Sequence, residues 1–417
     1  MTAALLSYTQ AADLVAARAA ELARLRAPFE RLELGLGSGR VLAEPLFADR
    51  DQPPFARSTR DGFACCAAEA SSHRSLTVAG STRAGQPPAG PLPKSAAWEI
   101  MTGAAVPEGA DAVAMVEHVE SQERKVRLIA PRTLEAGENI VAQAAEARAG
   151  DELVPAGTRL SSPQIALAAT CGYATVEVVL RPKVAILTTG DELVAVDAVP
   201  SAGQIRNSNA PMLSALVAAA GGKPWILPIA RDDDYSLDAA LRRAENADML
   251  LISGGVSAGK FDLVEPALAR AGARFHFTGI RIQPGKPLVF GELPRKPADA
   301  RLSLPFFGLP GNPISSAATF SLFAAPVLAA LAGSREQSPR FVLARLARHV
   351  KGKTGLTRFI PSFCAFNPPD GGLPEVAPVG SQGSGDLAAF ARSNCFLVVP
   401  EGTDRLETGA VVRILLP

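Results

Sequence analysis

The sequence has few of the residues that build metal sites and disulfide frameworks. Its 417 residues include five cysteines, an odd number with no Cys-x-x-Cys pair, so neither a disulfide framework nor a structural zinc site is expected. No two of the four histidines lie three or four residues apart, as a helical pair of metal ligands requires. The cysteine usage is typical of a reducing compartment, and the first ten residues lack a secretory signal. We therefore expect a cytoplasmic protein.

The sequence also lacks an excess of charge of either sign. Lys and Arg total 42 and Asp and Glu total 41, so the net charge is +1. This balance gives no overall electrostatic basis for binding nucleic acid. A basic run between residues 340 and 358 is better explained as one face of a strand than as a nucleic-acid patch. We expect no nucleic-acid partner.

One uncharged run is long enough to be compared with a membrane span. Residues 314–333 contain no charged side chain over 20 positions, and by length alone such a run would cross a bilayer. Pro326 and several serines and threonines interrupt it. We interpret the run as a helix buried against a sheet, because burial explains the lack of charge without a membrane.

Glycine and proline are abundant, with 36 and 34 residues, and follow no collagen-like period. They are therefore expected in turns between many short elements. Residues 31–142 and 337–417 show short, turn-bounded segments typical of β-structure. Residues 181–333 instead alternate strands with helices. This alternation predicts a mostly parallel sheet with helices on both faces.

Three glycine-rich segments in the alternating region each follow a strand directly. They are residues 188–192 (TTGDE), 253–259 (SGGVSAG) and 310–313 (PGNP). Because the carboxyl ends of parallel strands share one edge of a sheet, these loops are predicted to line a single crevice. Glycine permits close approach of the main chain to a ligand, and free N–H groups at helix starts suit phosphate or another oxyanion. Neither a P-loop nor a G-x-G-x-x-G fingerprint occurs at these positions.

Charged residues lie in and beside these loops. Several carboxylates are candidates for holding Mg²⁺ together with substrate phosphates: Asp191, Glu192, Asp232, Asp233, Asp234 and Asp262. Lys286, in the turn QPGKP, is a cation suited to an anion. Together these features are typical of nucleotidyl or phosphoryl chemistry, in which two anions meet on a metal.

These segments, in this order, resemble the signature set of the molybdopterin molybdenumtransferase family, which is related to the C-terminal domain of gephyrin. The similar segments in the alternating region are LTTGDEL (187–193), GQIRNSN (203–209), SGGVSAG (253–259), PGKP (284–287) and GLPGNP (308–313). Upstream, the Asp61–Gly62 and Thr102–Gly103 loops also resemble the family, as do GSQGSG (380–385) and PEG (400–402) downstream. The resemblance spans nearly the whole chain.

The resemblance implies a multidomain α/β and β fold. The expected parts are an N-terminal connecting domain (residues 1–50 and 141–178) and an inserted β-rich lobe (51–140). They are followed by a doubly wound, mostly parallel α/β domain that binds molybdopterin (179–333) and a small C-terminal β-barrel domain (334–417). A homodimer is implied, with a molybdopterin adenylyltransferase and molybdoenzymes as further candidate partners.

The resemblance also implies a reaction. Family members insert molybdate into adenylyl-molybdopterin and give molybdenum cofactor and AMP, with Mg²⁺ or a similar ion. Asp61, Thr102, Glu192, Asp232, Asp262 and Lys286 are then the candidate catalytic residues, and Glu192, Asp232 and Asp262 the candidate metal ligands. The candidate substrate-binding residues are Thr189, Gly190, Ser253, Gly254, Gly255, Ser257, Pro287, Pro310, Asn312, Pro313, Ser315, Arg358 and Ser384. Capping or turn formation is a competing explanation for Thr102 and Ser315.

The sequence departs from the family pattern at several positions. Ala56 replaces an acid in a loop made more basic by Arg57 and Arg60, and Lys260 stands where an acid is usual. Asn207 and Gln283 stand where Asp and Lys are common. These departures motivate a second hypothesis, a carrier that binds molybdopterin or the finished cofactor without inserting metal. A scaffold role like that of gephyrin is not expected, because the family's domains already fill 417 residues.

Overall fold

The computed structural model describes residues 5–25, 27–87, 90–255, 263–295, 303–367 and 371–417. A central sheet has six strands, which lie in the spatial order Lys223–Ile226, Lys183–Thr188, Met249–Ser253, Ser303–Leu309, Val289–Pro294 and Arg274–Thr278. The first four strands are parallel to one another. Val289–Pro294 pairs antiparallel with Ser303–Leu309, and Arg274–Thr278 pairs antiparallel with Val289–Pro294. The predicted mostly parallel, doubly wound sheet is confirmed.

Helices cover both faces of the central sheet. One face packs against Tyr8–Ala23, Asn209–Ala219 and the long segment made of Pro313–Thr319, a π-helical turn Phe320–Ala324, and Ala325–Leu331. The opposite face packs against Asp234–Ala244 and Val264–Arg270. The inner strands are buried between two apolar layers, which explains why Met249–Ser253 contains no exposed residue.

The uncharged run forms one of these core helices. The most apolar part of the segment Pro313–Leu331 is 89% buried inside the protein. Its polar side chains bond to nearby main chain: the Thr319 hydroxyl donates to the Ser315 carbonyl at 2.8 Å, the Ser321 hydroxyl to the Ala317 carbonyl at 3.0 Å, and the Ser316 hydroxyl to the Pro310 carbonyl. These bonds satisfy buried polar groups, so the segment needs neither water nor a charged partner.

Ser7 caps the N-terminal helix Tyr8–Ala23. The Ser7 hydroxyl accepts a hydrogen bond from the Gln10 amide, and the Gln10 side chain accepts one from the Ser7 amide, which completes a capping box. Leu6–Ser7 also pairs in parallel with Ile280–Gln283. The start of this helix is therefore anchored beside the strand that leads to Lys286.

An inserted sheet of six strands lies upstream in the sequence. Its spatial order is Ala112–Met115, Gly62–Cys65, Ala96–Ile100, Leu76–Thr82, Lys125–Leu128 and Val119–Gln122. A short helix, Ala67–Ala70, and a 3₁₀ turn, Val116–His118, accompany it. Its core is a separate apolar cluster around Phe63, Cys65 and Leu76, as expected for a lobe with its own interior.

Three two-stranded ladders join segments before and after the inserted sheet. They pair Phe29–Glu33 with Thr175–Val179, Leu46–Phe47 with Glu152–Val154, and Arg57–Ser58 with Ile140–Val141. The 3₁₀ turn Leu34–Leu36 and the helix Ser162–Thr170 pack with them. These elements bring distant parts of the sequence together and so connect the lobe to the rest of the chain.

The C-terminal region is a closed five-stranded barrel. Its strands run in the order Thr357–Ala365, Glu375–Pro378, Phe341–Leu346, Val411–Leu415 and Cys395–Val399, and the last pairs with the first. A short helix, Leu387–Phe390, and an antiparallel ladder of Val350–Lys351 with Arg405–Leu406 accompany it. Closure removes the exposed sheet edges. The predicted small β-barrel is confirmed.

Two neighbouring strands position the loop that carries Lys286. Val289–Pro294 is the antiparallel strand of the central sheet, and Ile280–Gln283 leaves that sheet to pair in parallel with the barrel strand Thr357–Ala365. In this register Gln283 lies opposite Arg358. The second pairing holds the loop after Gln283 against the barrel.

Candidate active site

A cavity of about 230 Å³ lies where the central strands end. It is lined by Thr189, Gly190, Glu192, Asp232, Gly254, Gly255, Pro287, Pro310 and Gly311. The structure thus brings together the three strand-end loops, as the sheet-edge argument predicts. We refer to this space as the glycine cavity.

Two glycines of the glycine cavity are required by conformation and by space. Gly254 has a φ of +98°, and a Cβ there would lie 2.5 Å from the carbonyl oxygen of Thr189. Gly255 has a φ of +62°, and its Cβ would lie 2.6 Å from the Val264 side chain. Without side chains at these positions, the loop packs closely on its neighbour and exposes main chain to a ligand.

The acids Glu192 and Asp232 both line the glycine cavity. The Thr189 hydroxyl donates a 2.5 Å hydrogen bond to Asp232, which fixes that carboxylate against the loop. Within the part of the chain that the structure describes, no group of three His, Cys, Asp or Glu residues is close enough to hold a metal. Mg²⁺ is usually held by only one or two carboxylates together with substrate phosphates, so Glu192 and Asp232 fit this ion.

The other candidate carboxylates that the structure describes do not line the glycine cavity. Asp191 accepts from the Asp232 amide at 3.4 Å. Asp233 caps the helix Asp234–Ala244 by accepting from the Ser236 amide at 2.7 Å, and Asp234 pairs with Arg270 at 2.9 Å. These two contacts are structural. Asp262, with Ser257 and Lys260, lies outside the described residues.

A second cavity, of about 440 Å³, lies between the central domain and the barrel. We call it the oxyanion cavity, because its polar lining consists largely of cations and hydrogen-bond donors. Its polar lining includes Gln283, Lys286, Asn312, Ser315, Arg358, Ser381 and Ser384. Pro287 and Pro310 line both cavities, so the two spaces adjoin.

Main-chain and side-chain bonds fix the donors of the oxyanion cavity. Arg358 donates through Nη1 to the Lys351 carbonyl at 2.7 Å, and its buried Nε has no partner among the described residues. The Asn312 amide donates to the Ser384 hydroxyl at 2.9 Å. The Ile314 amide, in the first turn of the long helix, donates to the Ser384 carbonyl. A lining that combines these groups with Lys286 suits a tetrahedral oxyanion.

Ser253 and Pro313, two of the predicted substrate-binding residues, line neither cavity. Pro313 begins the long helix, where its missing N–H costs nothing. Ser253 is buried and accepts from Asn209, which also donates to the Gly311 carbonyl at 2.6 Å. Sequence reasoning missed Asn209 as the residue that holds two of the loops together, although it ends the GQIRNSN segment.

Two departures from the family pattern have structural explanations. Asn207 donates to the Thr188 hydroxyl at 2.8 Å and accepts from the Ala210 amide at 3.1 Å, so it uses both ends of its side-chain amide. Arg57 pairs with Glu146 at 2.9 Å. Both side chains are thus used in structural contacts, and neither lines the glycine cavity.

Asp61 and Thr102 form a pair on the inserted sheet. Asp61 accepts from the Thr102 amide at 2.6 Å and from its hydroxyl at 2.7 Å, and both residues are exposed. The main-chain hydrogen bond, and then the hydroxyl, lower the pKa of Asp61 below its ordinary value. Neither residue lines the two cavities of the same chain. The structure therefore joins these predicted residues to each other but not to the glycine cavity.

The substitution Thr102→Val should raise the pKa of Asp61 only part of the way to its ordinary value, because the Thr102 amide remains. Carboxyl chemical shifts followed by NMR from pH 7 to pH 2 measure it. The stabilisation from this contact is present above the ordinary pKa and is lost as the pH falls through the lowered one. A complete return to the ordinary pKa would show that the hydroxyl alone holds the carboxylate.

A third cavity, of about 540 Å³, lies at the opposite end of the central strands. Its lining includes Leu241, Arg270, Leu293 and Leu304, and none of the predicted site residues. Although it is larger, it lacks both the glycine loops and the paired carboxylates. Size alone therefore does not identify the site.

Models of three protein families match successive parts of the chain. They are the MoeA N-terminal region (domain I and II) over residues 6–172, a probable molybdopterin binding domain over 185–330, and the MoeA C-terminal region (domain IV) over 343–416. The matched regions together cover most of the chain.

Curated proteins and solved structures show the same similarity. The molybdopterin molybdenumtransferase of Nostoc sp. is 34% identical over 393 residues, 93% of this chain and 88% of that protein. The enzyme of the same name from Bacillus subtilis is 35% identical over 90% of this chain and 87% of that protein. A crystal structure of a molybdopterin biosynthesis MoeA protein from Pyrococcus horikoshii superimposes with a TM-score of 0.80 at 28% identity, over 99% of this chain and all of that one.

Proposed function

As a member of the molybdopterin molybdenumtransferase family, this chain is an enzyme that transfers molybdenum, and we propose that it inserts molybdate into adenylyl-molybdopterin and releases AMP. The observation that carries the proposal is the pair of adjoining cavities. One offers glycine loops and two carboxylates, the other cations and hydroxyls, and both share Pro287 and Pro310.

The glycine cavity is the proposed place for the phosphates that join the pterin to AMP. Main chain freed by Gly254 and Gly255 approaches the phosphate oxygens. Glu192 and Asp232 are the residues that would hold Mg²⁺, and Thr189 keeps Asp232 in position. When bound, the ion neutralises phosphate charge and stabilises AMP as the leaving group.

The oxyanion cavity is the proposed place for molybdate. Lys286 and Arg358 supply two positive charges for a dianion, and Asn312, Ser315 and Ser384 supply neutral polar groups. The cavity adjoins the glycine cavity, so an oxyanion held there lies next to the phosphates. Holding both anions in one crevice lowers the entropic cost of bringing them together.

Asp61 and Thr102 are proposed to act on the glycine cavity of a second copy. They are exposed, paired, and apart from both cavities of their own chain. In a homodimer the inserted lobe of one copy would present them to the other. Asp61, whose pKa is lowered, is ionised at neutral pH and could accept a hydrogen bond from a substrate.

Release of AMP tests the proposal. The purified protein is incubated with adenylyl-molybdopterin and Mg²⁺, with or without molybdate, and AMP is quantified. We expect AMP release that depends on molybdate. Tight binding of adenylyl-molybdopterin without AMP release would instead support the carrier hypothesis that Lys260 motivates.

We also propose a cytoplasmic location, where reduced cysteines persist.

A further inference from the structure

The basic run 340–358 does not behave as a single strand face. Its first half is used locally: Arg345 donates to the Gly409 carbonyl at 3.0 Å, and Arg348 donates to the Pro378 carbonyl. Its second half ends at the oxyanion cavity, because Arg358 lines that cavity and bonds to the carbonyl of Lys351. The interpretation as one solvated strand face is therefore wrong for residues 351–358.

Lys351 lies in a two-stranded ladder, and its carbonyl accepts from Arg358, which lines the oxyanion cavity. Lys353 follows two positions later in the chain. Lys351 lies opposite Arg405 in the ladder, and the Gly352 amide donates to the Asp404 carbonyl at 2.7 Å. A Cβ at Gly352 would lie 1.6 Å from the Thr403 carbonyl oxygen, so the two segments are in very close contact. Lys351, Lys353 and Arg405 are all exposed.

The segments that carry Lys286, Arg358 and the neighbouring ladder hold more positive than negative charges. Residues 281–286, 350–358 and 400–407 contain six cations and three acids, a local net charge of +3, whereas the whole chain carries +1. Two of the acids are paired, Glu401 with Arg281 at 3.5 Å and Glu407 with Arg405 at 2.8 Å. The third, Asp404, lies next to Arg405 in the chain. Because Arg405 is paired, we call the other two exposed cations, Lys351 and Lys353, the cationic rim.

We propose that the cationic rim steers small dianionic oxyanions into the oxyanion cavity. The inference rests on the proposed function, since it assumes that molybdate enters there. A one-signed field at the mouth of a cleft raises the local concentration of the opposite charge and its rate of association. The rim does not touch the bound anion, so its effect is on association and not on the chemical step.

The test uses the double variant Lys351→Gln/Lys353→Gln in the full chain. The Arg358 bond to Lys351 is made to the main chain, so it survives the substitution. We expect kcat/KM for molybdate to fall on the order of 3- to 10-fold at about 0.01 M salt, with kcat unchanged. The loss should disappear near 1 M salt, where the screening length falls to about 3 Å.

The matched control is Arg124→Gln/Lys125→Gln, which removes two exposed charges from the inserted sheet. It should leave kcat/KM for molybdate unchanged at every salt concentration. Equal effects of the two double variants, or a loss that persists at high salt, would overturn the steering proposal. Absence of molybdate-dependent AMP release in the unmodified protein would instead overturn the proposed function. Molybdate association followed by stopped flow gives a readout that does not require turnover.

Discussion

The substitution Lys286→Met should lower kcat/KM for molybdate about 10²- to 10³-fold, the effect of removing one preorganised donor to a developing or bound oxyanion. Lys286 lines the oxyanion cavity and is exposed to solvent. Methionine keeps the length of the side chain and removes its charge. AMP release measured at a series of molybdate concentrations gives the effect.

Thermal unfolding distinguishes a functional from a structural role for Lys286. Exposed substitutions usually change stability by only about 0.5 kcal/mol, so the unfolding temperature should stay within a degree or two. Lys94→Met, at an exposed position of the inserted lobe, is the control and should change neither quantity. A Lys286→Met protein that unfolds early, or one that keeps full activity, would contradict the assignment of molybdate to this cavity.

The substitution Gly254→Ala should both destabilise the central sheet and abolish most of the activity. The residue has a φ of +98°, a conformation that costs an L-residue about 1–3 kcal/mol. Its new Cβ would also lie 2.5 Å from the Thr189 carbonyl oxygen. Displacing Thr189 disturbs its bond to Asp232, one of the two acids of the glycine cavity.

Gly203→Ala is a close control for the backbone effect. Gly203 has a φ of +83°, but no heavy atom of the described residues lies within 4 Å of the position that a Cβ would occupy there. The control should carry the conformational cost and leave activity intact. Hydrogen exchange of the central-sheet amides measures the local loss of stability. If both variants lose the same stability and the same activity, the close packing of the Gly254 loop on Thr189 plays no part in the site.

The central sheet and its crevice could be predicted because their signals are local. Each strand is a short apolar run, and each loop follows its strand directly. Because the carboxyl ends of parallel strands lie at one edge of the sheet, the loops lie close together. Gly190, Gly254 and Pro310 therefore fall together in the glycine cavity. The buried helix Pro313–Leu331 was also predictable, because polar residues and Pro326 interrupt its apolar run.

The oxyanion cavity could not be derived from local patterns. Lys286, Ser315, Arg358 and Ser384 come from four segments up to 98 positions apart, and only the family resemblance placed them together. Their meeting depends on the strand Ile280–Gln283, which pairs with the barrel and not with the central sheet. Sequence periodicity identifies a strand but does not say which sheet it joins.

The carboxylates show a second limit of prediction from sequence. Asp232, Asp233 and Asp234 are consecutive and chemically alike, yet only Asp232 lines the cavity, while its neighbours cap a helix and pair with Arg270. Which carboxylate of a run points toward a crevice depends on where the helix begins, and helix ends are not fixed by composition. Asp61 and Thr102 were also expected at the site; within one chain they contact each other and line neither cavity.

A crystal of the protein grown with AMP, Mg²⁺ and molybdate tests the assignment of the two cavities most directly. Anomalous scattering from molybdenum locates the metal independently of the rest of the density. The account predicts one molybdenum peak between Lys286, Arg358 and Ser384, with the AMP phosphate against Gly254 and Gly255. A molybdenum peak elsewhere, with the oxyanion cavity holding only water, would contradict it.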